Sequence, residues 1–296
     1  MLEKVETLIT KLVDEVDYPH AKELFAQLSG GKRLRARLIL TIAPSVPTAP
    51  LLGAIVELIH AASLLHDDVI DEAQLRRGVP SVNATQGSKI AIMLGDILYS
   101  KAFSELTSFD SRIARAVAES VTRLSVGEMM DVAMAENFNT DRDLYLKMLY
   151  LKTATLIEAC AYSAAILAGK DEQAHAIYGK NLGLAFQIID DILDITADEA
   201  TLGKPSLNDF SEGKVTLPYI DLHDRLDNEG KERLVANHAK VLDEEEKGWI
   251  RSKMDEYDII DHSYAYARTL CDEAIGAIGD DATLRAIIET VIQRSH

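Results

Sequence analysis

Apolar residues along this chain recur every three or four positions, which is the spacing of one face of an α-helix. Segments with this period cover residues 2–16, 20–28, 32–43, 51–72, 94–106, 111–135, 142–168 and 173–196. Polar stretches, or stretches with Pro and Gly, separate them at 44–50, 74–87, 137–141 and 198–213. The pattern predicts one all-α domain over residues 1–296, a bundle of about a dozen helices.

Two of the predicted helices carry the same acidic motif after an apolar run. We name Asp67–Asp71 the first acidic motif and Asp190–Asp194 the second, and both read D-D-x-x-D. Positions i, i+3 and i+4 share one helix face, so the carboxylates of each motif project together. Such carboxylates repel one another and are costly to desolvate, so a cation should neutralise them. Oxygen-only ligands favour Mg²⁺, and if the two helices face each other, the six carboxylates line the mouth of one cavity.

Basic residues stand close to both motifs in a chain that is otherwise strongly acidic. The formal net charge is −17 and the pI is about 4.9, which argues against nucleic-acid binding. Cations nevertheless cluster at Gly30–Arg35, at Arg76–Gly78, at Lys152, and at Lys204 and Lys214. Each alone could be a solvated ion pair. Their placement beside the acidic motifs favours a metal–diphosphate site, because Arg and Lys both bind phosphate.

The composition predicts a cytoplasmic protein. Cys160 and Cys271 belong to no C-x-x-C pair and fit small core residues in a reducing compartment. The N-terminus is amphipathic and charged throughout, unlike a signal peptide. We find no stretch of the roughly 18 apolar residues that span a bilayer, so no stable membrane insertion is expected.

The chain resembles the trans-isoprenyl diphosphate synthases, or polyprenyl synthetases, in five segments that follow the family's order. They read GGKRLRARL (30–38), ELIHAASLLHDDVIDEAQLRRG (57–78), GDILYSKAF (95–103), KTATLIEAC (152–160) and FQIIDDILDITAD…LGKPSLNDFSEGKVTLPY (186–219). The resemblance implies an all-α fold around a central cavity and a homodimer. It also implies prenyl transfer. An allylic diphosphate, farnesyl or shorter, ionises with the help of three magnesium ions, and the double bond of isopentenyl diphosphate attacks the cation.

The resemblance implies a role for each matching residue. The implied metal ligands are Asp67, Asp71, Asp190 and Asp194, supported by Asp68 and Asp191. The residues implied to bind the allylic diphosphate are Arg76, Lys152, Thr153, Gln187, Lys204 and Lys214. Those implied to bind isopentenyl diphosphate are Lys32, Arg35, His60 and Arg77. The catalytic candidates are Asp67, Asp68, Asp71, Lys152, Asp190 and Lys204. A lone His on an apolar helix is more often a core residue, but His60 can share the face of Asp67, about two turns away.

Two positions depart from the family pattern. Ala36 stands where the family usually has Pro, which would only stiffen the start of a helix. Asp131 stands where long-chain members often have Gln.

The residues just before the first acidic motif bear on product length. Family members that stop at fifteen carbons carry bulky aromatics at one or both of the positions of Ala62 and Ser63. Both residues are small here, so the pocket should be open below the reacting atoms. We therefore expect a product of about C30 to C50, of the type used for quinone side chains. Met129, Met130 or Met134 could form the floor, or could equally be ordinary core residues.

Other functions fit the residues less well. A terpene cyclase would show an N-D-x-x-S-x-x-x-E second motif, and Asn208–Ser211 fails that spacing. A metal-dependent phosphohydrolase needs neither paired basic motifs nor a second acidic one. The closer alternatives are a shorter-chain farnesyl or geranylgeranyl diphosphate synthase, and a non-catalytic subunit of a heteromeric prenyl synthase. Such subunits tend to lose an acidic motif, and both are intact here. A plain helical scaffold leaves the apolar flanks of both motifs unexplained.

Overall fold

A computed structural model describes residues 1–28, 31–76, 78–197, 206–279 and 281–293. The chain divides into two compact units. Unit 1 comprises Met1–Val121 and Leu156–Ala176, and unit 2 comprises Thr122–Thr155 and Ile177–His296. The all-α fold expected from the sequence is confirmed, while the single domain over 1–296 stays a prediction.

The helices follow the predicted segments closely. Their bounds are α1 Leu2–Asp14, α2 Pro19–Gln27, α3 Leu34–Ile42, α4 Ala49–Ile70, α5 Val82–Gln86, α6 Ser88–Leu106, α7 Ser111–Ala135, α8 Arg142–Leu149, α9 Thr155–Ala168, α10 Glu172–Thr196, α11 Asn208–Ser211, α12 Leu217–Arg225, α13 Asn228–Ala236, α14 Glu244–Glu256, α15 Ile259–Ile278 and α16 Ala282–Ile292. A π-helical turn, Tyr150–Ala154, joins α8 to α9.

Helix α4 is the centre of unit 1. It packs against α1, α3 and α6, and Leu52, Ile55 and Leu58 are fully buried along it. The loop expected at 44–50 is shorter than predicted, because α4 already begins at Ala49. Pro50 fits the first turn, where its missing N–H would have no partner within the helix. The first acidic motif thus comes at the end of a buried helix.

Two helical stretches have the length and hydropathy of a membrane span, contrary to our expectation. They are Ala49–Ile70, with a mean hydropathy of 1.5, and Arg142–Ala168, with 1.3. Of their most apolar windows, 72% and 56% respectively are buried inside the protein. A core helix passes the same test, and the burial of α4 accounts for its apolar composition.

The polar segment predicted at 74–87 contains a small antiparallel hairpin, which the sequence pattern did not indicate. Strands β1 (Leu75–Arg76) and β2 (Val79–Pro80) pair with Arg76 opposite Val79. Gly78 has φ +78°, a conformation that glycine adopts without steric cost and that tight hairpin turns require. The hairpin fixes Arg76 a short distance beyond the first acidic motif.

In unit 2, two glycines make room for the π-helical turn. A Cβ on Gly127 of α7 would lie 2.3 Å from the backbone nitrogen of Lys152. A Cβ on Gly183 of α10 would lie 2.6 Å from the Cα of Ala154. Backbone therefore packs directly on backbone at both positions, and the segment predicted as one helix over 142–168 changes its hydrogen-bond pattern there.

We expect Gly127→Ala to destabilise the protein by about 1–3 kcal/mol, because the added methyl group overlaps the backbone of the π-helical turn. Thermal unfolding followed by circular dichroism measures the effect. Gly248→Ala in α14 is the matched control. Its Cβ would meet nothing within 4 Å, so the higher helix propensity of Ala should leave the midpoint unchanged or raise it. Equal midpoints for the two variants would contradict this packing.

Candidate active site

The three carboxylates of the first acidic motif occupy different environments. Asp67 is partly exposed, Asp68 is 1% exposed, and Asp71 is exposed at the end of α4. The backbone N–H of Asp71 still donates to the carbonyl of Asp67 at 2.8 Å, so both residues stay in the last helical turn. Asp67 and Asp71 are therefore the members of this motif that a bound cation could reach from solvent.

Asp68 forms an ion pair with the hairpin. Its Oδ1 accepts a hydrogen bond from Nε of Arg76 at 2.6 Å, while its Oδ2 is buried with no hydrogen-bond partner among the described residues. Burial raises the pKa of Asp68, and the charge of Arg76 opposes that rise only in part. This ion pair links Arg76, which the resemblance implies as a ligand of the allylic diphosphate, to the first acidic motif.

The segment after the first acidic motif is also tied back to the end of α4. The backbone carbonyl of Asp68 accepts from the N–H of Ala73 at 2.9 Å and from Nδ2 of Asn83 at 3.3 Å. The Ser81 hydroxyl donates to the carbonyl of Ala73 at 2.6 Å and caps α5 by accepting from the N–H of Ala84. These bonds hold the hairpin in one orientation relative to the motif.

Helix α6 packs beside the first acidic motif through aromatic side chains. Tyr99 stacks on Phe103 with ring centroids 6.0 Å apart and also contacts the ring of His66. Burial and then the negative charges of Asp67 and Asp96 raise the pKa of Tyr99, which stays a protonated phenol. His66 lies within 3.2 Å of the carbonyl of Ile92, as a packing residue does.

The basic cluster near the N-terminus divides into a structural part and an exposed part. Arg33 donates from Nε to Glu6 at 2.7 Å and lies 3.6 Å from Glu57. Glu57 is 4% exposed and also accepts from the N–H of Ala36 at the start of α3. Arg35 has its Nε buried without a hydrogen-bond partner among the described residues, and burial lowers its pKa. Lys32 is exposed.

The candidate length-determining residues are buried in α4. Ala62 is fully buried, and Ser63 is 4% exposed with its hydroxyl donating to the carbonyl of His60 at 2.9 Å. His60 itself is half-buried, seven residues or about two turns before Asp67 on the same helix. Neither small side chain projects far from the helix. Met129, one of the suggested floor residues, is 73% exposed instead.

The second acidic motif is embedded in a chain of hydrogen bonds within unit 2. Thr153 donates to Gln187 at 3.1 Å, and Gln187 donates from Nε2 to Asp191 at 3.0 Å. The hydroxyl of Tyr145 donates to the other oxygen of Asp191. Asp191 is 4% exposed, and burial and then the charge of Asp209 raise its pKa well above the ordinary value. Asp190, its neighbour, is partly exposed.

Asp194 accepts hydrogen bonds from the segment that follows the motif. Its Oδ2 accepts from the backbone N–H of Asp209 at 3.1 Å, and its carbonyl accepts from the N–H of Leu207 at 2.9 Å. The side chain is buried, unlike that of Asp71 at the same position of the first motif. Lys214 follows on the same segment, its backbone N–H donating to the carbonyl of Asp209 and its ammonium pairing with Glu212 at 2.8 Å.

Lys152 is held by two acids from α7. Its Nζ lies 2.9 Å from Glu128 and 2.5 Å from Asp131. Burial works to lower the pKa of Lys152, but the charges of Asp131 and Glu128 outweigh it, so the pKa lies above its ordinary value. The ammonium therefore stays charged.

The carboxylates of both motifs fit Mg²⁺ by their chemistry. Among the described residues, no group of three His, Cys, Asp or Glu side chains lies close enough together to hold a metal ion. Mg²⁺ characteristically binds through one or two carboxylates and completes its octahedron with water and substrate phosphate oxygens. The partly exposed Asp67 and Asp190 and the exposed Asp71 can serve in that way, whereas Asp194 is committed to a backbone N–H through one oxygen.

Within each unit the structure brings several predicted site residues together. It links Arg76 to the first motif, and Thr153 and Gln187 to the second. Arg77 and Lys204 lie outside the described residues. The sequence reasoning missed Tyr145 and Glu128. No motif marks Tyr145, whereas the spacing of Glu128, one turn before Asp131 on the same face of α7, is the signal that the sequence offered for it.

Comparison with known proteins addresses the identity of the chain. A family model described as Polyprenyl synthetase matches residues 19–254. A short chain isoprenyl diphosphate synthase from Methanothermobacter thermautotrophicus is 38% identical over 220 residues, which are 70% of this chain and 68% of that protein.

Solved structures agree with the sequence comparison. The octaprenyl pyrophosphate synthase from Helicobacter pylori superposes with a TM-score of 0.94 at 41% identity, covering 100% of this chain and 98% of its own. A polyprenyl synthase from Caulobacter crescentus, complexed with calcium and isoprenyl diphosphate, gives a TM-score of 0.88 at 30% identity, with coverage of 99% and 94%. The chain belongs to the polyprenyl synthetase family, and it is a prenyltransferase.

Proposed function

We propose that this prenyltransferase is a long-chain all-trans polyprenyl diphosphate synthase with a product of about C30 to C50. In the reaction the allylic C–O bond breaks and diphosphate leaves. The double bond of isopentenyl diphosphate then forms a new C–C bond, and a proton is lost. The observation that carries the proposal is the pair of D-D-x-x-D motifs, in which an accessible Asp67 or Asp190 stands beside a buried, hydrogen-bonded Asp68 or Asp191.

The carboxylates of both motifs would hold the magnesium ions, which we propose to number three. Asp67 and Asp71 would do so in the first motif, and Asp190, with Asp194 directly or through water, in the second. Bound Mg²⁺ would stabilise the negative charge that develops on the departing diphosphate. The Caulobacter crescentus structure, which is a complex with calcium and isoprenyl diphosphate, supports a divalent cation alongside such a substrate.

The basic residues would bind the two diphosphates. For the allylic substrate we propose Arg76, Lys152, Thr153, Gln187, Lys204 and Lys214. For isopentenyl diphosphate we propose Lys32, Arg35, His60 and Arg77. Asp68 fixes the guanidinium of Arg76, and the hydrogen bonds from Thr153 through Gln187 to Asp191 fix that group of side chains before substrate arrives. Such preorganisation favours the transition state, because no side chain has to reorient as charge develops.

We propose a homodimer from the exposed apolar residues of α7. Val126, Met129 and Val132 are 45%, 73% and 48% exposed, and their spacing of three places them along one side of the helix within unit 2. A row of apolar side chains of this kind indicates a protein–protein contact, and a second copy of the chain is the partner we propose. We also propose a cytoplasmic location, which the two unpaired, buried thiols support.

A shorter-chain synthase is the second candidate. The Methanothermobacter thermautotrophicus relative, whose name describes a short-chain enzyme, favours it. The small, buried Ala62 and Ser63 and the similarity to the Helicobacter pylori octaprenyl enzyme favour a longer product. Sizing the product of the unmodified protein separates the two.

We expect the purified protein to extend farnesyl diphosphate with isopentenyl diphosphate only when Mg²⁺ is present, so a chelator should abolish the activity. Asp67→Asn should lower kcat about 10²- to 10³-fold, because the neutral amide holds more weakly the Mg²⁺ that stabilises the developing negative charge. Chromatography of the dephosphorylated products measures both effects. Asp255→Asn, at an exposed position of α14, makes the same charge change and should leave activity unchanged. Full activity of Asp67→Asn would rule out the proposed site.

We expect Ala62→Phe to shorten the product to about C15 to C20, since an aromatic ring would occupy the space for the growing chain. Ser63→Phe serves as a second variant if the first does not fold. Leu51→Phe adds the same ring roughly 16 Å away along α4 and should not change product length. Chromatographic sizing makes the measurement. An unchanged length in folded Ala62→Phe and Ser63→Phe would show that these residues do not limit the chain.

A further inference from the structure

Asp131 is the acid that stands where long-chain relatives often carry an amide, and the structure shows what it contacts. Its Oδ2 is 2.5 Å from Nζ of Lys152, and Glu128 lies 2.9 Å from the same nitrogen. The side chains of Glu128 and Asp131 are 7% and 10% exposed, while that of Lys152 is 24% exposed. The ammonium therefore lies between two shielded carboxylates and keeps some access to solvent.

The backbone of α7 and the π-helical turn set this arrangement. Glu128 and Asp131 are three residues apart, so their side chains leave the same face of α7 one turn from each other. Gly127 immediately precedes Glu128 and lets the backbone at Lys152 approach closely. π-Helical turns occur frequently at functional sites. The segment that carries Lys152 is thus docked directly on the turn of α7 that carries its two partners.

The ammonium of Lys152 has room for a further acceptor. It has three N–H donors, and among the described residues Asp131 accepts from one of them, while Glu128 is an ion-pair partner 2.9 Å away whose oxygens accept no hydrogen bond. Two carboxylates fixed on one helix restrict where the other N–H groups can point. The pair also keeps the ammonium charged, so it is available to an anion at neutral pH.

We propose that Asp131 is a positioning residue, which together with Glu128 holds the Lys152 ammonium so that one of its other N–H groups is directed to the diphosphate of the allylic substrate. This inference rests on the proposed function, because it takes Lys152 as a ligand of that diphosphate. It goes further by assigning a role to a position where this chain departs from many long-chain relatives. A buried ion pair that served stability alone would act independently of any substrate.

The test is a double-mutant cycle on kcat and KM with Asp131→Ala, Lys152→Met and the combined variant. Asp131→Ala should lower kcat by about ten- to a hundredfold, because a displaced catalytic group costs up to about a hundredfold. The KM for farnesyl diphosphate should change about threefold or less, since the weakened hydrogen bond from Lys152 acts mainly in the transition state. In the Lys152→Met background, Asp131→Ala should have no further effect on kcat, because Asp131 acts through the missing ammonium.

Three further variants complete the design. Asp131→Glu keeps the carboxylate and should recover most of the kcat that Asp131→Ala removes. Glu136→Ala removes one exposed acid just beyond α7 and controls for the change in net charge. Glu128→Gln neutralises the other partner of Lys152, should lower kcat in the same direction, and replaces Asp131→Ala if that protein does not fold.

Two results would overturn the positioning role while the proposed function stands. The first is a kcat equal to that of the wild type in folded Asp131→Ala, while Lys152→Met is impaired. If Asp131→Ala does not fold, the same result in Glu128→Gln counts instead. The second is a double-mutant cycle in which the combined variant loses kcat by the product of the losses in Asp131→Ala and Lys152→Met. If the unmodified protein makes no elongated product at all, the proposed function itself fails, and the role assigned to Asp131 fails with it.

Discussion

Negative charge placed on largely buried helices is the constraint on which this structure depends. Carboxylates withdrawn from water are costly unless each is paired, hydrogen-bonded or neutralised. Asp68 is paired with Arg76, and Asp191 accepts from Tyr145 and Gln187. The hairpin after the first motif and the hydrogen-bond chain around the second follow from this requirement. Asp67 and Asp190, in contrast, are partly exposed to solvent.

Two motifs of the same D-D-x-x-D pattern serve different structural purposes. In the first, α4 ends within the motif, so the last carboxylate, Asp71, is exposed at the helix terminus. In the second, α10 continues to Thr196, so Asp194 is buried and holds the N–H of Asp209. The difference arises from where each helix stops. The two motifs therefore differ in the carboxylates that they leave exposed.

Much of the fold could be predicted from the sequence, because helical periodicity over long segments is a strong signal. The bounds of α7 agree with the predicted range, and α10 differs from it by one residue at its start. The pattern did not reveal the π-helical turn, since one residue added to a turn shifts the phase of an apolar pattern without interrupting it. It also could not reveal the hairpin at Leu75–Pro80, whose two-residue strands are too short to show an alternation of apolar and polar residues.

Among the site residues, the acidic motifs are recognisable because they repeat. The partners of Lys152 depend on which face of α7 meets the turn, and that is decided by tertiary packing at Gly127.

The π-helical turn at Tyr150–Ala154 makes the number of residues between α8 and α9 as important as their identity. A π turn accommodates one residue more than an α turn, and each residue of a helix advances the chain by about 100° around the axis. A chain shortened by one residue here could close into an uninterrupted helix, and every side chain beyond the deletion would then face a new direction. A deletion in this segment is therefore more disruptive than one of the same size in a surface loop, where gaps are tolerated.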